Sequence, residues 1–302
     1  MSVIQNFRQF IRGNNFVRKI VAYYIVPSGM FDSKVLELPI GETFQRRIKE
    51  VLSCPDNQFI ERVKDSGVVN KGKQTMHNGL KIHLGSYYGP EVAQQLYANK
   101  GVHEPQEEYV FQEVLKKMRS NATMIELGAF WSFYSMWFNS IVSNAKNFMV
   151  EPDNFNLGCG KRNFALNKMK GDFTQAFVGS KHSVDAKGNR MIGIDEFCQE
   201  KNIKFIDILH CDIQGFEFEM LKGTENMILN DAIGYFFIST HSNEIHYKCL
   251  DHLRVKNYII VATSDLNETF AEDGLIVAKS KNYPGVEKIK IALKTSMQSI
   301  SN

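Results

Sequence analysis

From residue 123 onward, short apolar runs alternate with longer stretches whose apolar positions recur every three to four residues, the pattern of strands and helices in alternation. Strands are predicted over 123–127, 146–150, 173–178, 205–211, 233–240, 257–262 and 274–279, and helices over 131–143, 153–169, 193–201, 215–229 and 244–256. A sheet fed by such crossovers is mostly parallel, with helices on both faces. Upstream, 79–84 reads as a strand and 91–98 as a helix. A further helix opens at His103-Glu104-Pro105 and carries Tyr109, Val110, Val114, Leu115 and Met118 on one face. Residues 1–75 read as short helices and loops punctuated by Pro27-Ser28-Gly29, Pro39-Ile40-Gly41 and Cys54-Pro55-Asp56-Asn57. Asp185-Ala186-Lys187-Gly188-Asn189 reads as a surface turn, and the stretch from Asn267 to Lys279, with Asp273-Gly274 inside it, as a closing antiparallel hairpin. The expected fold class is α/β, a Rossmann-like doubly wound, mostly parallel sheet over 79–302 with a mainly helical N-terminal extension over 1–78.

Ligands of such sheets sit at the carboxyl ends of the strands. There the first strand ends in Glu126-Leu127-Gly128-Ala129 and the second in Val150-Glu151-Pro152. Gly128 lets the backbone approach a ligand closely, the amides opening the next helix supply donors, and Glu151 can accept from both hydroxyls of a ribose. A dinucleotide wants three glycines at this turn, whereas here one glycine is followed by Phe130 and Trp131. A nucleoside cofactor without phosphates fits the bulkier turn, and S-adenosylmethionine is such a cofactor.

Two further strand ends carry polar chemistry. The run 206–211 delivers Asp212 to the same edge, ahead of Gln214 and Gly215. Asp212 there either faces the ligand or caps the following helix. Because His210 and Cys211 alternate in facing, one of them belongs to the core. The run 236–240 ends in His241, a candidate general base near neutral pH, with a satisfied loop histidine as the plain alternative. His246, five residues on, is expected on an exposed helix face. No histidine pair has the H-E-x-x-H spacing that raises a metal site, and none is expected for the cofactor, although a divalent ion on acceptor hydroxyls could be served by Asp212.

Composition narrows the partners. The 302 residues include 43% hydrophobic and 12% aromatic positions, enough for one large domain and an extension. With 36 basic against 33 acidic residues, the net charge of +3 lacks the footprint of a nucleic-acid binder and favours small or sugar-like acceptors. Five scattered cysteines without C-x-x-C spacing argue against a disulfide framework or a zinc site, and a reducing cytoplasm is the expected location. No run is long enough to span a membrane. The basic residues Arg8, Arg12, Arg18 and Lys19, interleaved with Phe7, Phe10, Phe16, Tyr23 and Tyr24, suit either a helix lying on an anionic membrane or one packed on its own domain.

Taken together the segments resemble the FkbM family of S-adenosylmethionine-dependent methyltransferases, over about Gly79 to Lys279. Glu126-Leu127-Gly128-Ala129 followed by Ser132-Phe133-Tyr134-Ser135 is similar to its first motif, Val150-Glu151-Pro152-Asp153 to its second, with Asn163 and Asn167 where asparagines commonly follow, and Ile194-Asp195-Glu196-Phe197 to a third. Asp212-Ile213-Gln214-Gly215-Phe216-Glu217, continuing to Leu221-Lys222-Gly223, is similar to the D-V-E-G-A-E-x-x-V-L-x-G signature. Two positions depart from the family pattern: Ser132 stands for a glycine and narrows the space over the turn, and Gln214 stands for a glutamate. The resemblance implies a class I methyltransferase fold, methyl transfer to an oxygen of a sugar or related small metabolite, and a cofactor site of Glu126, Gly128, Ser132, Ser135, Glu151 and Asp212. His241 and Asp212 are the candidate catalytic residues. The rival expectations are a noncatalytic nucleotide-binding module and an NAD-dependent oxidoreductase.

Overall fold

The computed structural model describes residues 32–295 together with residues 17, 20–21 and 25–30. The basic and aromatic residues expected on an N-terminal amphipathic helix lie outside the described residues. Two helices, α1 (Asp32–Glu37) and α2 (Glu42–Ser53), precede a small antiparallel sheet of β1 (Val69–Asn70), β2 (Lys73–Thr75) and β3 (Lys81–His83). That sheet crosses residue 78, and its first two strands lie where only helices and loops are expected. Helices α3 (Pro90–Ala98) and α4 (Pro105–Leu115) follow, each opened by a proline whose missing N–H is no loss in a first turn.

The main sheet has seven strands. In chain order they are β4 (Thr123–Leu127), β5 (Lys146–Val150), β6 (Asp172–Thr174), β10 (Ile206–Cys211), β11 (Ile233–Thr240), β12 (Ile259–Ser264) and β13 (Gly274–Lys279), while β7 (Phe177–Val178), β8 (Ser183–Val184) and β9 (Arg190–Ile192) form a separate small sheet. The spatial order β12-β13-β11-β10-β4-β5-β6 is parallel except at β13, which is antiparallel to both neighbours. The chain leaves β4 toward β5 and β6, then returns to the other side of β4 as β10. The order therefore reverses at β4, and a crevice opens there at the strands' carboxyl ends.

Period-two alternation sorts the strand residues into two cores. Met124, Ile208, Phe237 and Val277 face one side, where Phe111, Phe133, Phe138 and Phe164 pack. Ile125, Leu209, Phe236 and Ile276 face the other, against Phe197, Met220, Leu221 and Leu253. Cys211 belongs to the second core, and His210 is buried on the opposite face.

The helices are α5 (Phe133–Ile141), α6 (Asn154–Leu166), α7 (Ile194–Glu200), α8 (Glu217–Lys222), α9 (Glu225–Leu229) and α10 (Asn243–Val255). The single helix expected over 215–229 is two. A Cβ at Gly223 would lie 2.7 Å from the Gly179 carbonyl, and the Asp195 carboxylate accepts from the amides of Asn226 and Met227 at 2.9 and 3.0 Å, which starts α9 afresh. Likewise the strand expected over 173–178 is split into β6 and β7. The turn at 185–189 forms between β8 and β9, with Asp185 Oδ1 accepting from the amides of Lys187 and Asn189. In the closing hairpin Asp273 is not in a tight turn; it is the last residue before β13, which inserts between β12 and β11.

Candidate functional site

Three strand ends are laced together where the sheet switches direction. The amides of Gly128 and Ala129 both donate to the Val150 carbonyl, at 2.9 and 3.0 Å, and that of Asp212 donates to the Leu127 carbonyl at 3.0 Å. Gly128 has φ 74°, and a Cβ there would lie 1.7 Å from the Asp212 carbonyl oxygen. Gly128 thus needs the backbone freedom expected of it, and the neighbouring main chain by itself already excludes a side chain there. Phe130 and Ser132 also hold left-handed backbone, φ 31° and 60°, conformations that cost ~1–3 kcal/mol each and persist only when packing enforces them. Tyr87 supplies such packing by stacking on Trp131 at 4.4 Å between ring centroids.

A cavity of about 300 Å³ opens beside this turn. Gly128, Glu151 and Asp212 line it, so three of the residues expected at the cofactor site meet there. Phe177, Val178, Met191, Ile213 and Phe216 give it an apolar wall, and no lysine or arginine lines it among the described residues. Glu151 is held in place from both sides: Oε2 accepts from the Phe130 amide at 3.2 Å and Oε1 from the Asp153 amide at 2.9 Å. Burial raises its carboxyl pKa, opposed by those amides. An acid beside an apolar wall with no phosphate-binding cation among the described residues suits a nucleoside such as the adenosine of S-adenosylmethionine.

The other expected cofactor residues sit behind the turn. Glu126 is 3% exposed and accepts from the Ser135 amide at 3.0 Å. Burial pushes its carboxyl up to about 7, with His210 and Ser135 opposing. Ser132 does not narrow the cavity; it is buried against α6, where a Cβ at Gly160 would lie 2.3 Å from its Oγ. The glycine missing from the turn is matched by a glycine on the facing helix.

On the far side of Asp212, His241 joins a cluster of carboxylates. Its Nδ1 lies 2.8 Å from Glu217 Oε1, and its Nε2 lies 3.3 Å from Asp212 Oδ1 and 3.5 Å from Asp273 Oδ1. Burial works against the charged imidazole, yet the hydrogen bonds of Asp212 and Glu217 and the charge of Asp273 raise it to about 10. The carboxylates that favour the imidazolium work against His241 as a free base, and the Gln214 amide nitrogen lies 2.7 Å from its Nε2. Beneath the cluster, His210 Nε2 pairs with Glu107 Oε1 at 2.7 Å, and Ser239 Oγ donates to Glu107 Oε2 at 3.2 Å.

The sequence shows Asp273 only as a turn residue 61 positions from Asp212; antiparallel insertion of β13 brings it to the site. Glu217 stood in a matched motif, but its contact with His241 depends on α8 packing beside β11. His246 is the opposite case. Expected on an exposed face, it is 1% exposed, with its ring nitrogens 2.9 Å from Thr240 Oγ1 and 3.1 Å from Thr263 Oγ1, because α10 turns this face onto the sheet.

The family model described as the methyltransferase FkbM domain matches residues 83–260. A search of curated proteins finds no match. Among solved structures, the chain is similar to a precorrin-6y C5,15-methyltransferase from Geobacter metallireducens, at 15% identity and TM-score 0.40 over 58% of this chain and 89% of that one. It is also similar to a ribosomal protein L11 methylase from Lactobacillus delbrueckii subsp. bulgaricus, at 9% identity and TM-score 0.42 over 60% and 81%. A third is the Pyrococcus abyssi tRNA (uracil-54, C5)-methyltransferase in complex with S-adenosyl-L-homocysteine, at 10% identity and TM-score 0.42 over 72% and 48%.

Proposed function

This chain belongs to the FkbM-domain family of S-adenosylmethionine-dependent methyltransferases, with their Rossmann-like fold, and from that premise we propose that it methylates an oxygen of a sugar or related small metabolite. The observation that carries the reading is the position of Asp212, which lines the cavity shared with Glu151 while one of its oxygens meets His241 on the other side. A nucleoside held by Glu151 and an acceptor held by the His241 cluster would then meet across one residue.

S-adenosylmethionine supplies an electrophilic methyl group on a sulfonium. Glu151 holds the ribose hydroxyls, and the charge of Glu126 favours the amino group of the methionine part. Transfer is an in-line displacement, so the protein's task is to bring the acceptor oxygen into line and collect its proton. Both nitrogens of His241 are engaged, by Glu217 and by the aspartates, so the remaining acceptor capacity lies on Asp212 and Asp273. These carboxylates receive the hydroxyl proton, and His241 keeps them in position.

The test has two stages. Calorimetry with S-adenosylhomocysteine and NAD is expected to show binding of the first alone. Incubation with methyl-labelled S-adenosylmethionine and a panel of sugars and glycosylated metabolites is then expected to place label on an acceptor oxygen. Label on carbon or nitrogen overturns the oxygen assignment, and tight S-adenosylhomocysteine binding without transfer to any acceptor favours the noncatalytic module.

A further inference from the structure

We propose that Asp212, His241 and Asp273 form a site for one divalent cation of the Mn²⁺ or Mg²⁺ class, held by Nε2 of the histidine and one oxygen of each aspartate. The three ligand atoms lie within 4.8 Å of one another. The separations of 3.3 and 3.5 Å between Nε2 and the two carboxylates are long for charge-assisted hydrogen bonds, which run ~2.7–2.9 Å. They match the edges of a coordination polyhedron: metal–ligand bonds of ~2.1 Å place neighbouring ligands about 3.0 Å apart in an octahedron and about 3.4 Å in a tetrahedron.

Glu217 is the independent observation. It has no exposed surface, its Oε1 holds His241 Nδ1 at 2.8 Å, and its Oε2 has no hydrogen-bond partner. A carboxylate behind the remote nitrogen is the usual support of a metal-bound imidazole, fixing the ring and raising its basicity. With Nδ1–H committed to Glu217, displacement of the Nε2 proton by a cation leaves a lone pair facing two carboxylates, a set of three donors that a divalent ion can hold.

Charge balance points the same way. Asp212, Asp273 and Glu217 face one imidazole, and none of the three is ion-paired with lysine or arginine among the described residues. Arg47, whose charge reaches Asp273, is itself paired with Glu272 at 2.6 Å. Two hard carboxylate oxygens with one imidazole suit Mn²⁺ or Mg²⁺. The side chains of Asp212, His241 and Asp273 keep 28%, 16% and 22% of their surface exposed, which leaves coordination positions for water or hydroxyl oxygens. Gln214, exposed and with its amide nitrogen 2.7 Å from Nε2, is the group that gives way. That the cation serves to hold and acidify an acceptor hydroxyl rests on the reading above; its binding does not.

The experiment is a Mn²⁺ titration of the full chain, freed of metal by chelation and without cofactor or acceptor, followed by the loss of the free-ion paramagnetic resonance signal. Saturable binding of one ion per chain is expected, weakened ~10-fold or more in Asp273→Asn and in His241→Gln, with ~10-fold weakening in Glu217→Gln. Thermal melts of the three variants establish that each is folded, and the least perturbed of them decides the comparison. No saturation of the wild type up to ~1 mM Mn²⁺, the weak end of biological divalent sites, overturns the proposal, as does equal affinity in folded variants. Failure of the methyltransferase reading registers separately, as absent S-adenosylhomocysteine binding.

Discussion

Nδ1 of His241 lies 2.8 Å from Oε1 of Glu217, a carboxylate without exposed surface. This contact orients the ring whose other nitrogen meets Asp212 and Asp273. Glu217→Gln keeps an oxygen that can accept but loses the charge. It is expected to slow methyl transfer ~10–100-fold, the scale for removing support behind a site histidine, while leaving S-adenosylhomocysteine affinity unchanged. Equal losses in both would mean that Glu217 merely supports the fold.

Glu151 is pinned by two main-chain amides on the wall of the cavity. Glu151→Ala is expected to weaken S-adenosylhomocysteine at least ~10-fold, the scale of a lost charge-assisted hydrogen bond. Wild-type affinity in this variant, measured by calorimetry, would sink the ribose assignment.

Gly128→Ala places a methyl 1.7 Å from the Asp212 carbonyl oxygen, on backbone that disfavours any side chain. The variant is expected to lose at least ~2 kcal/mol of stability without any ligand present. An unchanged melting temperature of the free protein would show that the turn yields, and would return the glycine's role to the ligand.

Glu126, raised to about 7 by burial, is ionised above that pH and neutral below it. Because the charged form attracts the methionine amino group, S-adenosylhomocysteine affinity should fall as pH is lowered from 8 through 7 to 6. Glu126→Gln should remove the dependence; calorimetry at these pH values decides.

Glu108 and His77 form a buried pair, 3.2 Å apart, outside the lining of the cavity. Burial raises Glu108 from 4.5 to about 8 and lowers His77 from 6.5 to about 4, so around neutrality both members of the pair are neutral. Between pH 4.5 and 6.5 the folded state gains a proton at Glu108 and forgoes one at His77, and the two nearly cancel. From 6.5 to 8 only the Glu108 proton differs; the folded state binds more, so stability falls as pH rises. Melting temperatures should decline across that upper window in the wild type and less steeply in Glu108→Gln.

The sequence by itself determined most of the sheet and the half of the site that strand ends carry. An apolar run names its own strand, and the residue just beyond it must emerge at the carboxyl edge, so the pattern alone puts Glu151, Asp212 and His241 there. Phe130 and Trp131 in a turn with a single glycine argued against a dinucleotide by local sterics alone. Tertiary structure decided whatever depends on two elements meeting. The antiparallel insertion of β13 carries Asp273 to His241, α8 brings Glu217 beneath it, and Gly160 on α6 accommodates Ser132. It also decided which face of α10 is buried, and with it the fate of His246. Periodicity reports what one element prefers; the neighbour that will cover it, and the charge it will meet there, are properties of packing.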